Sequence, residues 1–314
     1  MTTTTSVLTP PIRESFSYKL LSVPVPFFIH RIPATRRRMA RNAGQVLRMR
    51  RYRPLDTATV PLGNSGVTPP PQQLTAINID AQIEFYGTYI SLNEQVTLTS
   101  QDPVLNEAAK RLGVSLRETE DQLVERLLRS TASRINCVSG TNGQNPTEIT
   151  RSDINEAIRA LVSSNGHTFV DKIPGELRFG TAPIRDSYLC LASTRIIGDL
   201  EAVEGFIEKS QYPAPNQALA SEWGSVSNTR WLLSSVGSVS ESASDGGMDV
   251  LNCFVCAQEG FTIVEQDGYT AEFIYRPAIY DSPLALNAQV GYKFAEASAI
   301  TNDQWVLNLR CTTT

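Results

Sequence analysis

The chain has 314 residues, of which 41% are hydrophobic, and a formal net charge of -4 at pH 7. A chain of this size and composition buries a substantial core, which excludes an intrinsically disordered or collagen-like protein. A bilayer-spanning helix needs roughly 20 apolar residues in succession, and no such stretch occurs. The start of the chain also lacks the pattern of a secretory signal, so we expect a cytoplasmic protein with no membrane partner.

Charge is unevenly distributed along the chain. Residues 1–53 contain eleven Lys or Arg side chains against one acid, Glu14, so this segment carries +10 and the remainder carries -14. A strongly basic segment neutralises phosphate, whereas an acidic body repels it. One end of the chain is thus suited to contact a polyanion.

Residues 1–44 are predicted to form an extended arm rather than a folded domain. Thr2–Thr5 are of low complexity, and five prolines interrupt helix and sheet because proline lacks a backbone donor and fixes φ. The arm also carries apolar side chains, including Phe27 and Phe28, that a fully solvated tail does not need. We therefore expect the arm to lie across a neighbouring subunit, with Phe27 and Phe28 among the contacts.

Residues 45–95 are predicted to form a long hairpin. One limb runs from Val46 to Arg53, and the returning limb alternates apolar and polar side chains from Ile77 to Tyr86, which is the period of a strand. Between the limbs, the proline- and glycine-rich stretch 61–71 prevents regular pairing. Because a hairpin of this length cannot bury both faces in its own subunit, it implies a partner surface.

Three helices are predicted. The strongest signal runs from Asp102 to Ser133, with apolar side chains three and four residues apart, and Gly113 favours a kink or a break within it. A second helix is expected to begin at the capping box Thr150–Asp153 and to end at Asn165–Gly166. A third, short helix is expected at Asp199–Lys209.

Strands are predicted to dominate the second half of the chain. The segments combine alternation with β-branched and aromatic residues. They are Trp231–Ser235, Val250–Ala257, Ala271–Tyr275, Ala288–Ala295 and Gln304–Leu309. The predicted class is therefore α+β.

The sequence offers few groups for catalysis. It contains no phosphate-binding loop, dinucleotide fingerprint, zinc-protease motif, nucleophile elbow or calcium loop. The two histidines, His30 and His167, are each expected to be surface or capping residues. The acids Glu118, Glu120 and Asp121 are expected on a solvated helix face. We predict no catalytic, cofactor-binding or metal site, and hence a protein that is not an enzyme.

The five cysteines are odd in number and scattered, which argues against a disulfide framework. Cys253 and Cys256 have the spacing of a redox or zinc half-site. They fall on a predicted strand, however, where residues three apart face opposite sides. We therefore interpret them as core residues, and expect the thiols to be reduced and mostly buried.

Two groups of arginines stand out in the basic segment. The first group is Arg36, Arg37, Arg38 and Arg41, and the second is Arg48, Arg50, Arg51 and Arg53. Guanidinium groups keep their charge and make forked contacts to phosphate or carboxylate. The first group is assigned equally to contact with nucleic acid and to contact with a neighbouring subunit. The second alternates on a strand and is assigned to the acidic body of a neighbour, with plain solvation as the alternative for any one residue.

From about residue 45 onward, a series of short motifs occurs in a characteristic order. They are Arg50-Arg-Tyr-Arg-Pro-Leu-Asp-Thr-Ala-Thr-Val-Pro-Leu62, Gly66-Val-Thr-Pro69, Tyr86-Gly-Thr-Tyr-Ile-Ser91, Asp102-Pro-Val-Leu-Asn-Glu-Ala-Ala109, Glu118-Thr-Glu-Asp121, Glu222-Trp-Gly-Ser-Val226, Thr229-Arg-Trp231, Tyr275-Arg-Pro277, Asp281-Ser-Pro-Leu284 and Asn302-Asp-Gln-Trp305. With the basic arm, hairpin, long helix and returning strands, the sequence resembles the N-four-type major capsid proteins of tailed phages, which have the Hong Kong 97 type capsid fold.

The resemblance implies five segments in this fold. They are an N-terminal arm at 1–44, an extended loop hairpin at 45–95, a peripheral domain with a long spine helix at 96–143, an axial domain at 144–267 and returning peripheral strands at 268–314. It further implies self-assembly into hexamers and pentamers that form the icosahedral head shell around double-stranded DNA. Assembly would take place in the host cytoplasm, with portal, scaffolding and cement or decoration proteins as partners.

Two features limit what the resemblance implies. Some shells of this fold are sealed by an isopeptide bond from a lysine of the extended loop, but no lysine lies between Lys19 and Lys110, so we expect no such cross-link. Any scaffolding is expected to be a separate protein. The alternatives are a head-decoration or tail-tube protein and an enzyme with a site that the sequence does not reveal.

Overall fold

The computed structural model describes residues 25–57, 71–93, 104–131, 133–169, 186–212, 218–241, 243–244, 247–267, 271–277 and 286–313. Few helices and many strands alternate along these ranges, which confirms the α+β class. Within the same ranges, no helix combines the length and apolar character needed to cross a membrane.

The long helix α1 spans Val104–Arg129 without interruption. The apolar residues on its buried face are Ala108, Leu112, Leu116, Val124 and Leu128. The prediction of a long amphipathic helix is confirmed, while a break at Gly113 is contradicted, because the helix continues through this residue. A Cβ at that position would lie 3.9 Å from the ring of Phe273, so the helix passes close to a neighbouring strand there.

Helix α2 spans Arg151–Ser163 and begins at the predicted capping box of Thr150 and Asp153. The Asp153 carboxylate also accepts hydrogen bonds from the backbone N–H groups of Val138 and Gly140, at 3.1 and 2.7 Å, which explains how this acid is fully buried. The predicted start of this helix is confirmed.

The third predicted helix is wrong in extent. Helix α3 spans only Ile197–Ala202, after a 3-10 turn at Thr194–Ile196, and the chain then forms the short strand β7 at Phe206–Glu208. Gly205 has a φ of +85°, a left-handed conformation that glycine adopts readily and that redirects the chain between helix and strand.

The largest sheet has eight strands. They are β5 Arg134–Asn136, β6 Tyr188–Ser193, β7, β8 Glu222–Val226, β9 Thr229–Ser234, β10 Val239–Ser240, β11 Val250–Cys256 and β15 Val306–Thr312. Their order in the sheet is β5-β15-β11-β6-β9-β8-β7, and β10 pairs with β11. A core covers each face. Helices α2 and α3 pack on one face, and the end of α1 with residues 29–34 packs on the other.

The cysteines lie in the two apolar cores that cover this sheet. All five are free and buried, as predicted. Cys253 packs on the face that α2 and α3 cover, whereas Cys256 packs on the α1 face, which confirms that the pair faces opposite sides.

The second sheet has five strands, β1 Thr35–Met39, β4 Glu84–Asn93, β12 Phe261–Gln266, β13 Glu272–Arg276 and β14 Asn287–Ile300. Strand β1 pairs with β12, and β14 pairs with β12 and β13 along one edge and with β4 along the other. Helix α1 packs across β14, where Leu112 and Leu116 meet Val290, Tyr292 and Phe294.

The predicted hairpin is confirmed in the described residues. Strands β2 Val46–Tyr52 and β3 Ala76–Gln82 pair antiparallel, from Val46 opposite Gln82 to Tyr52 opposite Ala76. Only the base of the hairpin is buried. There, Met49 and Ala81 pack with Met39, Val264 and Ala297 of the second sheet.

Candidate functional site

Phe27 and Phe28, the predicted contacts of the arm, lie at the point where the described chain begins. Phe27 is 58% exposed, and its backbone carbonyl accepts a hydrogen bond from the Ser234 hydroxyl. The ring lines a mostly apolar cavity of about 800 Å³, together with Ile197, Trp223 and other residues. Phe28 is half-buried. An exposed phenylalanine beside an apolar cavity is a feature of surfaces that contact a partner.

Immediately after these residues the chain is held firmly to its own subunit. His30 is 1% exposed, and its ring nitrogen Nδ1 lies 2.6 Å from the Asp121 carboxylate of α1. The His30 backbone N–H donates to the other Asp121 oxygen at 2.9 Å. The expectations that His30 is a surface or capping residue and that Asp121 is solvated are both wrong. A buried carboxylate requires such donors, and no local sequence pattern joins residues 91 apart.

Arg31 forms the centre of a second buried contact. Its guanidinium lies 2.5 Å from Glu296 of β14, 3.5 Å from Glu120 of α1 and 3.4 Å from Glu265 of β12. Burial raises the pKa of Glu296 to about 7 despite the favourable charge of Arg31, and burial also raises the pKa of Glu120. Three structural elements are thus joined to residue 31 through one cation.

The raised pKa of Glu296 predicts a pH-dependent stability. The folded protein retains a proton that the unfolded chain releases near pH 4.5, so this group lowers stability as pH rises from about 4.5 to about 7. Glu296→Gln is expected to flatten the melting temperature across this range. The control is Glu272→Gln, because Glu272 is exposed on β13 and paired with Lys293. Equal pH slopes for the wild type and Glu296→Gln would contradict the assignment.

The first arginine group belongs to β1 and the turn after it. Arg36, Arg37 and Arg38 are exposed on β1, which pairs in parallel with β12 and places Arg38 opposite Glu265. Arg36 is close enough to Glu120 to favour the charged carboxylate. Arg41 donates through Nε to the Asp267 carbonyl at 3.3 Å. Acidic side chains of the same subunit therefore accompany at least two of these four arginines.

The second arginine group lies on the hairpin. Arg48 makes a forked contact to Asp80 on the opposite strand, at 2.7 and 2.8 Å, and Arg50 donates to Asn78 at 3.1 Å. Arg51 is half-buried and Arg53 is exposed. Arg48 thus already has a partner within its own hairpin, while the exposed Arg53 is available to another molecule.

An exposed aromatic face on the second sheet was missed from the sequence. Phe85 and Tyr89 of β4 are 62% and 68% exposed, and Tyr89 lines a groove together with Gly87 and Gly291. A Cβ at Gly291 would lie 2.8 Å from the Thr88 carbonyl oxygen, so the strands approach too closely there for another side chain. The sequence motif Tyr86–Ser91 contains Tyr89 and Gly87, so it could have indicated this exposed face.

The described residues do not converge on a reaction centre. Within them, no group of three His, Cys, Asp or Glu side chains is arranged to hold a metal ion. His167 is exposed and packs edge-on against Trp305, away from His30. Three features remain prominent. They are the arm root, by which we mean residues 27–31, the β2–β3 hairpin, and the exposed side chains of Phe85 and Tyr89 on β4.

Comparison with known proteins identifies the fold. The sequence matches no family model and no curated protein. Among solved structures, the capsid of Ralstonia phage GP4 is 12% identical, with 100% of this chain and 99% of that chain covered and a TM-score of 0.71. The capsid asymmetric unit of cyanophage Pam1 is 14% identical, with 99% and 98% covered and a TM-score of 0.68.

The head structure of Helicobacter pylori bacteriophage KHP40 is similar over 99% of this chain and 97% of that chain, with 12% identity and a TM-score of 0.65. Agreement over whole chains at such low identity establishes the fold. The chain therefore has the fold of phage capsid proteins, and that prediction is confirmed.

Proposed function

We propose that this chain is the major capsid protein of a tailed phage and assembles into the shell that encloses double-stranded DNA. The observation that carries the proposal is the agreement of the fold along its whole length, 100% of this chain with 99% of the Ralstonia phage GP4 capsid chain. The hairpin and the long helix fall within that agreement. The order of the sequence motifs supports the N-four-type family and the Hong Kong 97 type of fold.

The surface of the subunit supports assembly with copies of itself. The hairpin extends beyond its buried base, Phe27 lies beside a mostly apolar cavity, and the side chains of Phe85 and Tyr89 are exposed among the described residues. Exposed aromatic side chains of this kind are enriched at interfaces. Rings of five and six subunits, built through the arm and hairpin, would cover these surfaces.

The proposed organisation follows the sequence segments. We assign 1–44 to the arm, of which residues 29–39 pack on the body of the same subunit. We assign 45–95 to the extended loop, 96–143 and 268–314 to the peripheral domain, and 144–267 to the axial domain. The peripheral strands β5 and β15 continue the sheet of the axial segment through the β15–β11 pairing. Force on one domain would therefore reach the other through backbone hydrogen bonds.

Electron microscopy of the expressed full chain, alone and with a separate scaffolding protein, tests the function. Closed shells with fivefold and sixfold clusters are expected. Open tubes would instead indicate a tail-tube protein, and binding only to preformed shells would indicate a decoration protein. A subunit that stays monomeric under all these conditions would contradict the proposal. In infected cells, the protein is expected first in the host cytoplasm and then in virions, with portal and cement proteins.

Charge reversal on the hairpin tests the role of its arginines. Arg50→Glu with Arg53→Glu is expected to abolish shell formation, because the hairpin would then meet the acidic body of a neighbour with like charge. Subunit stability should change by less than about 1 kcal/mol, since both residues are exposed. The matched control is the reversal of Arg111 and Arg117, two exposed residues of α1. Normal shells from the hairpin variant would refute the assignment.

A further inference from the structure

Three arginines meet where α1 ends beside the edge of the eight-stranded sheet, and we refer to Arg129, Arg134 and Arg310 as the arginine cluster. Arg129 lies in the last turn of α1, Arg134 begins β5, and Arg310 lies on β15 opposite Asn136 of β5. Arg134 donates to the backbone carbonyl of Arg129 at 3.3 Å. Burial lowers the pKa of Arg310, and the charges of Arg134 and Arg129 lower it further, so the three cations lie within each other's field.

None of the three arginines is part of an ion pair in the part of the chain that the structure describes. Glu125, one turn earlier on α1 than Arg129, instead accepts a hydrogen bond from Ser238. Positive charge is therefore concentrated here, without an ion pair among the described residues, in a protein whose overall charge is -4.

Helix capping accounts for only part of the cluster. Cations at the end of a helix are stabilised by its dipole, and Arg134 donates to the Thr131 carbonyl at 3.2 Å. Arg129 donates to the Val239 carbonyl at 3.1 Å. Arg310 lies on a strand, however, and its side chain forms no hydrogen bond to any residue that the structure describes. A structural role thus explains two of the three arginines, whereas no contact among the described residues accounts for Arg310.

We propose that the arginine cluster binds the phosphates of the packaged double-stranded DNA. Guanidinium groups present N–H donors in a fork that matches phosphate oxygens, and several together form a multivalent site for a phosphodiester backbone. The cluster is better suited to this role than Arg36 and Arg38, because those two have Glu120 and Glu265 of the same subunit beside them. The inference rests on the proposed function, and it requires that this surface of the subunit face the inside of the shell.

The test is the salt dependence of binding between the full-length protein and a short duplex DNA, measured by fluorescence anisotropy between about 50 and 200 mM salt. Arg129→Gln with Arg310→Gln is expected to reduce the slope of log K against log salt by about 2. Arg310→Gln alone should reduce it by about 1, and this variant removes no hydrogen bond within the described structure. The control, Arg111→Gln with Arg117→Gln, removes the same charge from the exposed surface of α1.

Equal slopes for the cluster variants and the control would overturn the proposal. Loss of shell formation by the cluster variants, with an unchanged slope, would also overturn it, because the ligand would then be a carboxylate of a neighbouring subunit. Shell formation by the wild-type protein is read separately by electron microscopy. Its failure would refute the proposed function, whereas normal shells with unchanged slopes would refute only the DNA contact.

Discussion

Arg230→Met is expected to lower the free energy of unfolding by about 3–5 kcal/mol, because it leaves a buried carboxylate without its cation. Arg230 and Glu222 face each other in a forked contact of 2.7 and 2.5 Å, with side chains that are 3% and 0% exposed. The hydroxyl of Tyr212 donates to the same carboxylate at 2.9 Å, but a neutral hydroxyl does not replace the lost charge. Urea unfolding of purified subunits measures the loss.

Two variants separate this effect from a general loss of charge. Arg195→Met removes a cation from the exposed pair with Asp249, and it should cost less than about 1 kcal/mol. Glu222→Leu with Arg230→Met removes both buried charges and should recover much of the stability lost in the single variant. Similar losses for Arg195→Met and Arg230→Met would show that the buried pair has no special role.

Asp121→Ala is expected to destabilise the subunit by about 3 kcal/mol and to release the root of the arm. The substitution removes the acceptor of two buried donors, the His30 backbone N–H and its ring Nδ1. Trypsin should then cleave faster after the arginines of β1, because the segment that precedes this strand loses its hydrogen bonds to Asp121 and, among the described residues, keeps only the longer polar contact of Arg31 with Glu120 of α1. Melting curves and timed proteolysis followed by mass spectrometry measure the two effects.

The matched control is Glu118→Ala on the same helix. The carboxylate of Glu118 accepts a hydrogen bond of 3.3 Å from Gln122 in an exposed position, so little stability depends on it. Unchanged cleavage of the Asp121 variant would mean that the apolar contacts of Ile29 and Ala34, rather than the His30 contact, hold this segment.

Elements with one buried face were predictable from the sequence. The apolar spacing of α1, the capping box of α2 and the alternation of the β2–β3 hairpin each carry a periodic or local signal. The central strand β6 carries none, because all its residues are buried and its sequence shows no alternation. Strand β1 was not predicted, because Arg36–Arg38 interrupt any alternation of apolar and polar side chains. Their exposed charges lie between the buried ends Thr35 and Met39.

The contacts that hold the arm root were not predictable, because they join residues far apart in the chain. His30 meets Asp121, and Arg31 meets Glu296 at a separation of 265 residues. Each residue alone resembles an ordinary polar surface position. The pair of Glu222 and Arg230 differs, since both belong to motifs that the sequence resemblance had already marked, although their buried contact was not foreseen.

Strand β14 has a mechanical consequence for a shell under internal pressure. Ten of its residues pair with β4, which continues directly from the hairpin, while its opposite edge pairs with β12 and β13. Tension along the hairpin would act parallel to β14. It would therefore place all of these cross-strand hydrogen bonds under shear at the same time, because they are perpendicular to the strands. Bonds loaded together resist rupture far better than bonds opened one after another, so in the proposed shell this strand would act as a tie between neighbouring copies.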